Sequence, residues 1–131
     1  MVLKCAWCKK SCMIPISVEL TFRETTINAN FCSIEHLEEA QRFFKYAEAH
    51  LTHFLLGLIL PGIVGLILVI LNQNGLGVFV ILAGIGTTSI IFPFATPQTN
   101  ELFGFKTAIL LVQILGIILI GFGFVFWLIL S

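Results

Sequence analysis

The chain has 131 residues, a mean hydropathy of +1.05, 58% hydrophobic residues and 11% charged ones. That balance excludes an ordinary soluble globular protein and implies helices that cross a membrane. Seven basic and seven acidic residues cancel to zero formal net charge, and no basic patch points to nucleic acid. The charges are segregated. Twelve of the fourteen precede His50, and only Glu101 and Lys106 follow. The expected organisation is a polar head over residues 1–50 and an apolar body over residues 51–131.

Residues 1–10 have no apolar run and no small-residue cleavage site, so no signal peptide is expected. The head is then placed in the cytosol. Its four cysteines sit in a reducing compartment, which favours a metal over disulfides. Cys5 and Cys8 form a Cys-x-x-Cys pair, a tight knuckle that aims two sulfurs at one point. Residues 14–31 read as a β-hairpin. Ile16, Val18, Leu20 and Phe22 alternate with Ser17, Glu19 and Thr21, the period of a half-buried strand. Arg23–Thr25 makes the turn, and Ile27, Ala29 and Phe31 alternate in the returning strand. A head of this size cannot bury a large core, so a bound metal is the expected staple.

Ser33 is a favoured N-cap and predicts a helix from that point. Glu35, Glu38 and Glu39 lie toward its positive end, with Arg42 and Lys45 further along. Leu37, Phe44, Ala47, Leu51 and Phe54 share one helical face. No Gly or Pro interrupts Ser33–Leu56, so the helix is expected to run unbroken into the first apolar segment. That makes Phe31–His36 a rigid joint between head and body.

Three spans are predicted, at about 51–71, 75–94 and 105–130, each near or above the ~20 residues that cross a bilayer. Pro61-Gly62 predicts a kink or a close helix contact in the first. Asn72–Gly75 is a turn signal that makes the first two spans antiparallel. The connection from Pro93 to Gly104 is longer than a minimal turn. Six basic residues lie in the head, and Lys106 falls at the end of the 93–106 loop between the second and third spans. The positive-inside rule then places the N-terminus in the cytosol and the C-terminus outside, in a multi-pass protein of the cell membrane.

The strongest chemical signal is Cys5, Cys8, then Cys32 and His36. Three thiolates and an imidazole make a closed tetrahedral set suited to structural Zn²⁺. Iron–sulfur ligation normally uses more closely grouped thiolates. Cys12 is left over. It is an alternate ligand, a labile thiol that hands metal on, or a small apolar residue beside the knuckle. His50 and His53 share a helix face at the expected water–lipid boundary. They read as an interfacial polar collar, with a second metal or a lipid phosphate as the alternative.

The knuckle, the hairpin and Phe31-Cys32-Ser33 opening a helix resemble the TRASH and related FCS-type treble-clef zinc modules. The resemblance covers about residues 4–45. It implies Cys5, Cys8, Cys32 and His36 as the metal ligands. His36 stands where those modules usually carry a last Cys, and Lys9 stands where a Gly often follows the knuckle. Such modules are linked to metal sensing, metal handling and protein interaction.

Apart from Lys106 at the start of the third, the predicted spans hold no Asp, Glu, Lys or Arg, which are usual in ion and proton transporters. Gln113 and Thr87, Thr88 and Ser89 read as interhelical hydrogen-bonding sites. Gly57, Gly62, Gly65, Gly84, Gly86, Gly116, Gly121 and Gly123 read as close-packing positions. Phe122, Phe124, Phe126 and Trp127 read as an aromatic belt or partner contact. No catalytic constellation emerges, and an enzyme acting alone is not expected. The fold class is a mostly α membrane protein, three transmembrane helices with a small zinc-stabilised treble-clef head. The expected partners are the lipid bilayer and other membrane subunits or further copies of the chain, with no nucleic acid. The expected role is a non-catalytic accessory or assembly subunit of a larger membrane complex, a respiratory or other redox complex being one kind. A metal-responsive sensor or metallochaperone is the alternative, and a small oligomeric transporter a third.

Overall fold

A computed structural model describes residues 4–22, 25–71, 74–95 and 97–130. Two strands and four helices follow in order: β1 (Ile16–Phe22), β2 (Thr25–Phe31), α1 (Ile34–Ile70), α2 (Asn74–Ile91), α3 (Pro97–Phe103) and α4 (Phe105–Leu130). The chain divides into two compact units, Met1–Ala49 with Ala95–Leu110, and His50–Phe94 with Leu111–Ser131. Helix α1 is helical from Ile34 through Ile70 without a break, as the lack of early Gly and Pro predicts. The Arg23–Thr25 turn rests on residues 23 and 24, and the Asn72–Gly75 turn on residues 72 and 73; these four lie outside the described residues.

In the first unit, β1 and β2 pair antiparallel with Ile16 opposite Phe31 and Val18 opposite Ala29. This register puts the apolar set on one face, because side chains alternate along a strand. Leu20, Ala29 and Phe31 are buried, whereas Ser17, Glu19 and Asn28 are exposed. Ser17 Oγ donates to Asn30 Oδ1 across the polar face at 2.7 Å. The buried face joins Cys5, Trp7, Ala40 and Phe105 in one apolar core, with Leu37, Phe43, Phe44 and Ile109 packed around it.

Phe105 is the unexpected member. The sequence division at residue 50 leaves 95–110 with the apolar body, but this segment packs into the head. The connection holds a short helix, α3, that ends at Phe103, just before Gly104. Trp7 stacks on Phe105 at 6.4 Å, and Phe44 meets Phe105 edge-on at 5.1 Å. Aromatic pairs of this geometry add about 0.5–1.5 kcal/mol beyond area burial.

The second unit is built from three helical segments, and small residues set their spacing. A Cβ on Gly77 would lie 2.6 Å from the Gly65 carbonyl, and one on Gly116 would lie 2.6 Å from the Gly86 carbonyl. Gly84 backs onto Pro61, so the Pro61-Gly62 signal marks a close helix contact. Gly57, Gly65, Gly84, Gly86, Gly116 and Gly123 serve as packing positions, and Gly77 joins them. Gly62 and Gly121 do not, since nothing lies within 4 Å of a Cβ built on either. Of the polar cluster, only Thr88 links helices through its side chain: its hydroxyl lies 2.8 Å from both the Gly57 and the Gly84 carbonyls. Ser89 bonds back to Ile85 in its own helix, and Thr87 is exposed. Gln113 Nε2 donates to the Ile90 carbonyl at 3.5 Å. Trp127 packs on Phe79 at 5.9 Å, while Phe122, Phe124 and Phe126 are exposed.

Among the described residues, α1, α2 and α4 are long and apolar enough to cross a membrane. Beyond residue 54, many large apolar side chains of these helices face outward, Ile59, Ile63, Leu66, Ile117 and Phe122 among them.

Candidate metal centre

Lys4 and Ser11 form an antiparallel bridge that opens and closes the knuckle. Inside it, the Cys5 N–H donates to the Lys10 carbonyl and the Lys9 N–H to the Cys5 carbonyl, each at 2.9 Å. These bonds close the loop on itself, so the Cys5 and Cys8 side chains converge. The Ala6 N–H then ties the knuckle to β2 through the Asn30 carbonyl at 2.8 Å. The other two donors come from the far end of β2 and the first turn of α1. Cys32 directly follows β2. Ser33 caps α1, its hydroxyl accepting the His36 N–H at 3.3 Å, so the cap bond fixes the backbone of the His36 donor.

The outcome is convergence. One donor atom from each of Cys5, Cys8, Cys32 and His36 lies within 4.8 Å of all the others. Cys5 Sγ and His36 Nδ1 are 3.7 Å apart. A tetrahedral zinc with bonds of about 2.3 Å to sulfur and about 2.0–2.1 Å to nitrogen requires donor separations of roughly 3.6–3.8 Å. The observed separation is of that size. The set could therefore hold a metal ion, and the chemistry of three thiols and one imidazole fits a soft or borderline divalent cation. Cys12 is not among the four; it lies beside them.

The local electrostatics already favour a thiolate. Burial by itself raises the Cys5 thiol, but hydrogen bonds from the backbones of Cys8, Cys32 and Trp7 outweigh it and bring the pKa down to about 6. Cys32 is pushed far up, first by its hydrogen bond with Cys12, then by desolvation and by Cys5. In the metal-free cluster Cys5 holds the negative charge and Cys32 keeps its proton. A bound cation would displace that proton, as ligation of a thiol requires.

Lys9 has φ of 60°, the left-handed region, and is the sole non-glycine residue there among the described residues. The closing turn of the knuckle demands this conformation, which explains why a Gly commonly follows such a knuckle. Lys9→Gly is expected to bind metal normally and to change stability by no more than about 1 kcal/mol, whereas Lys9→Val should cost about 2 kcal/mol or more. Thermal unfolding followed by Trp7 emission in a Trp127→Phe background checks this. Equal stability of the two variants would sink the account.

The knuckle has a second task, one with no side-chain signature in the sequence. The carbonyls of Ala6 and Trp7 accept the N–H groups of Phe105 and Lys106 at 3.1 Å each. Those are two of the free donors that open α4. Gly104, with φ of 80°, closes α3 through its N–H to the Asn100 carbonyl and starts α4 by accepting the Ala108 N–H, each at 2.9 Å. The metal-binding loop is thus also the cap of the third long helix.

The other candidate pair is less developed. His50 and His53 face each other with ring centroids 5.9 Å apart, and His50 also lies against Phe92 at 5.8 Å. No thiol or carboxylate joins them in a metal-binding group among the described residues.

The class defined so far is a chain with a Cys3His cluster able to hold a metal and three helices able to cross a membrane. Comparison with protein-family models, curated proteins and solved structures finds no match to this chain. The resemblance to FCS-type modules therefore rests on the ligand order, the hairpin and the capped helix alone.

Proposed function

We propose that this chain is an integral three-span membrane protein with a structural zinc centre, serving as a non-catalytic accessory or assembly subunit of a larger membrane complex. The head is arranged as a treble clef: the knuckle supplies Cys5 and Cys8, and the hairpin leads into Cys32 and His36 at the start of the helix. A respiratory or other redox complex is one candidate for the assembly. The observation that carries the reading is the convergence of four protein donors within 4.8 Å. A closed set of this kind leaves no coordination position for a substrate. The sequence supports it further, with no Asp, Glu, Lys or Arg in residues 51–100 or 107–131, where transport of ions or protons usually needs them.

The proposed orientation has the head in the cytosol and the C-terminus outside. Lys106 supports it, because its N–H is bonded to the knuckle. All seven basic residues then belong on the head's side of the membrane, as the positive-inside rule requires.

The experiment is solubilisation in mild detergent followed by sizing and identification of what co-purifies. A stable assembly with other membrane subunits is the expected result. A lone monomer that retains its zinc and brings nothing with it would count strongly against the reading.

A second reading, a metal-responsive sensor or metallochaperone, is favoured by the Cys12 thiol beside Cys32. It requires a labile metal. Zinc that resists chelators, with Cys12→Ala silent, would argue against it.

A further inference from the structure

Cys12 has no part in the four-donor set; it packs half-buried against the core of the head, beside the knuckle. Its thiol and that of Cys32 both point at the Lys10 carbonyl, each at 3.9 Å. The two sulfurs thus share one acceptor oxygen. A spare thiol therefore sits against one ligand of the centre. Both residues are only half-buried, so a small oxidant can reach them. The chain distance between them is spanned by the hairpin, whose register is fixed by seven paired positions; the two thiols are held together by the fold.

The geometry points to Cys12–Cys32 as an oxidant-sensitive modification site that releases the metal, an inference that rests on the zinc reading above. The oxidant class is a peroxide. The Cys12 sulfur, giving up its proton, attacks one peroxide oxygen; the O–O bond breaks and Cys12 becomes a sulfenic acid. The Cys32 thiolate leaves the zinc and attacks the Cys12 sulfur. The S–S bond forms, the S–O bond breaks, and hydroxide departs. One thiol, one zinc-bound thiolate and one hydrogen peroxide give one disulfide, one water, one hydroxide and free Zn²⁺. The two sulfurs lose two electrons and the peroxide gains them, while zinc keeps its oxidation state. The centre retains Cys5, Cys8 and His36 and loses the donor that follows β2. Cys5 and Cys8 are not the expected pair, because Cys12 is the thiol that zinc does not occupy and its neighbour is Cys32.

The test uses the full-length zinc-loaded protein in detergent, a slight molar excess of hydrogen peroxide, a chromogenic zinc chelator and disulfide mapping by mass spectrometry. The expected result is one Cys12–Cys32 disulfide per zinc released, reversed by a thiol reductant with added zinc. Cys12→Ser should load zinc and release it under peroxide at least tenfold more slowly. Equal release rates, or a disulfide that maps to Cys5–Cys8, would overturn the inference. If Cys12→Ser fails to load zinc, the map from the unsubstituted chain decides. A chain that carries no zinc before oxidation refutes the metal reading instead, and the thiol pairing then stands or falls on whether Cys12–Cys32 is the first disulfide to form.

Discussion

Replacing Cys5 with serine is expected to abolish metal binding and unfold the head. Cys5 is both a donor and a core residue with no exposed surface. A serine hydroxyl does not ionise at neutral pH and cannot replace the thiolate. Magnitudes decide the outcome. A structural zinc contributes an apparent ~10–16 kcal/mol in small modules, whereas a core of this size supplies only about 3–5 kcal/mol. The first term exceeds the second, so the head should not survive losing it. Elemental analysis should find about one zinc per unsubstituted chain, as one tetrahedral set requires, and close to none in Cys5→Ser. Trp7, 8% exposed in the folded head, should shift its emission to the red in a Trp127→Phe background. The pH dependence has a fixed sign. Protons compete with metal for the same sulfurs, so acid favours the metal-free form. Zinc affinity should fall with falling pH, and more steeply below about 6, where Cys5 takes up its proton. A zinc-free protein with an ordered head would refute the centre.

Gly104→Val is expected to detach α4 from the knuckle. Two independent costs add at this position. The backbone sits at φ of 80°, which a β-branched residue rarely adopts, and a Cβ there would lie 2.8 Å from the Trp7 carbonyl. That carbonyl is backbone and accepts the Lys106 N–H, so it cannot yield without breaking the cap. A destabilisation of about 2–4 kcal/mol of the head is expected, the upper range for a single substitution with a named backbone conflict. Gly121→Val is the control, since nothing lies within 4 Å of its Cβ; it should change stability by no more than about 0.5 kcal/mol. Amide hydrogen exchange at Phe105 and Lys106 reads the effect directly. Protection there should be lost in Gly104→Val and kept in Gly121→Val. Unchanged protection in Gly104→Val would show that the knuckle does not hold this helix.

Much of the site was legible because its signals are local. Cys-x-x-Cys brings two sulfurs together through a loop that closes on itself, and the Ser33 cap places His36 one turn into α1. Period-two alternation from Ile16 to Phe22 gives the hairpin face, since a register slip would expose it. The long apolar stretches mark the three helices by length alone. The glycines were harder. Their composition announces close packing, but which of them face a neighbour depends on helix rotation, and mean hydropathy in these helices differs little between faces. Gly62 and Gly121 carry the same compositional signal but have nothing within 4 Å of a Cβ, whereas Gly77 packs on Gly65.

The sequence by itself determined the two candidate pairs Cys5–Cys8 and Cys32–His36, the cap and the helices able to cross a membrane, because each follows from spacing or length within one segment; that the pairs converge without Cys12 was decided by the tertiary structure. Only the tertiary structure decided that residues 95–110 belong with the head. That docking runs through backbone carbonyls of Ala6 and Trp7, received by backbone N–H groups of Phe105 and Lys106. Every residue except proline carries such a donor, and every residue such an acceptor, so nothing in the side chains marks these four in advance. The same holds for Lys9, whose left-handed backbone is imposed by knuckle closure against its own preference, and for Cys12, whose meaning comes from the ligand it lies beside.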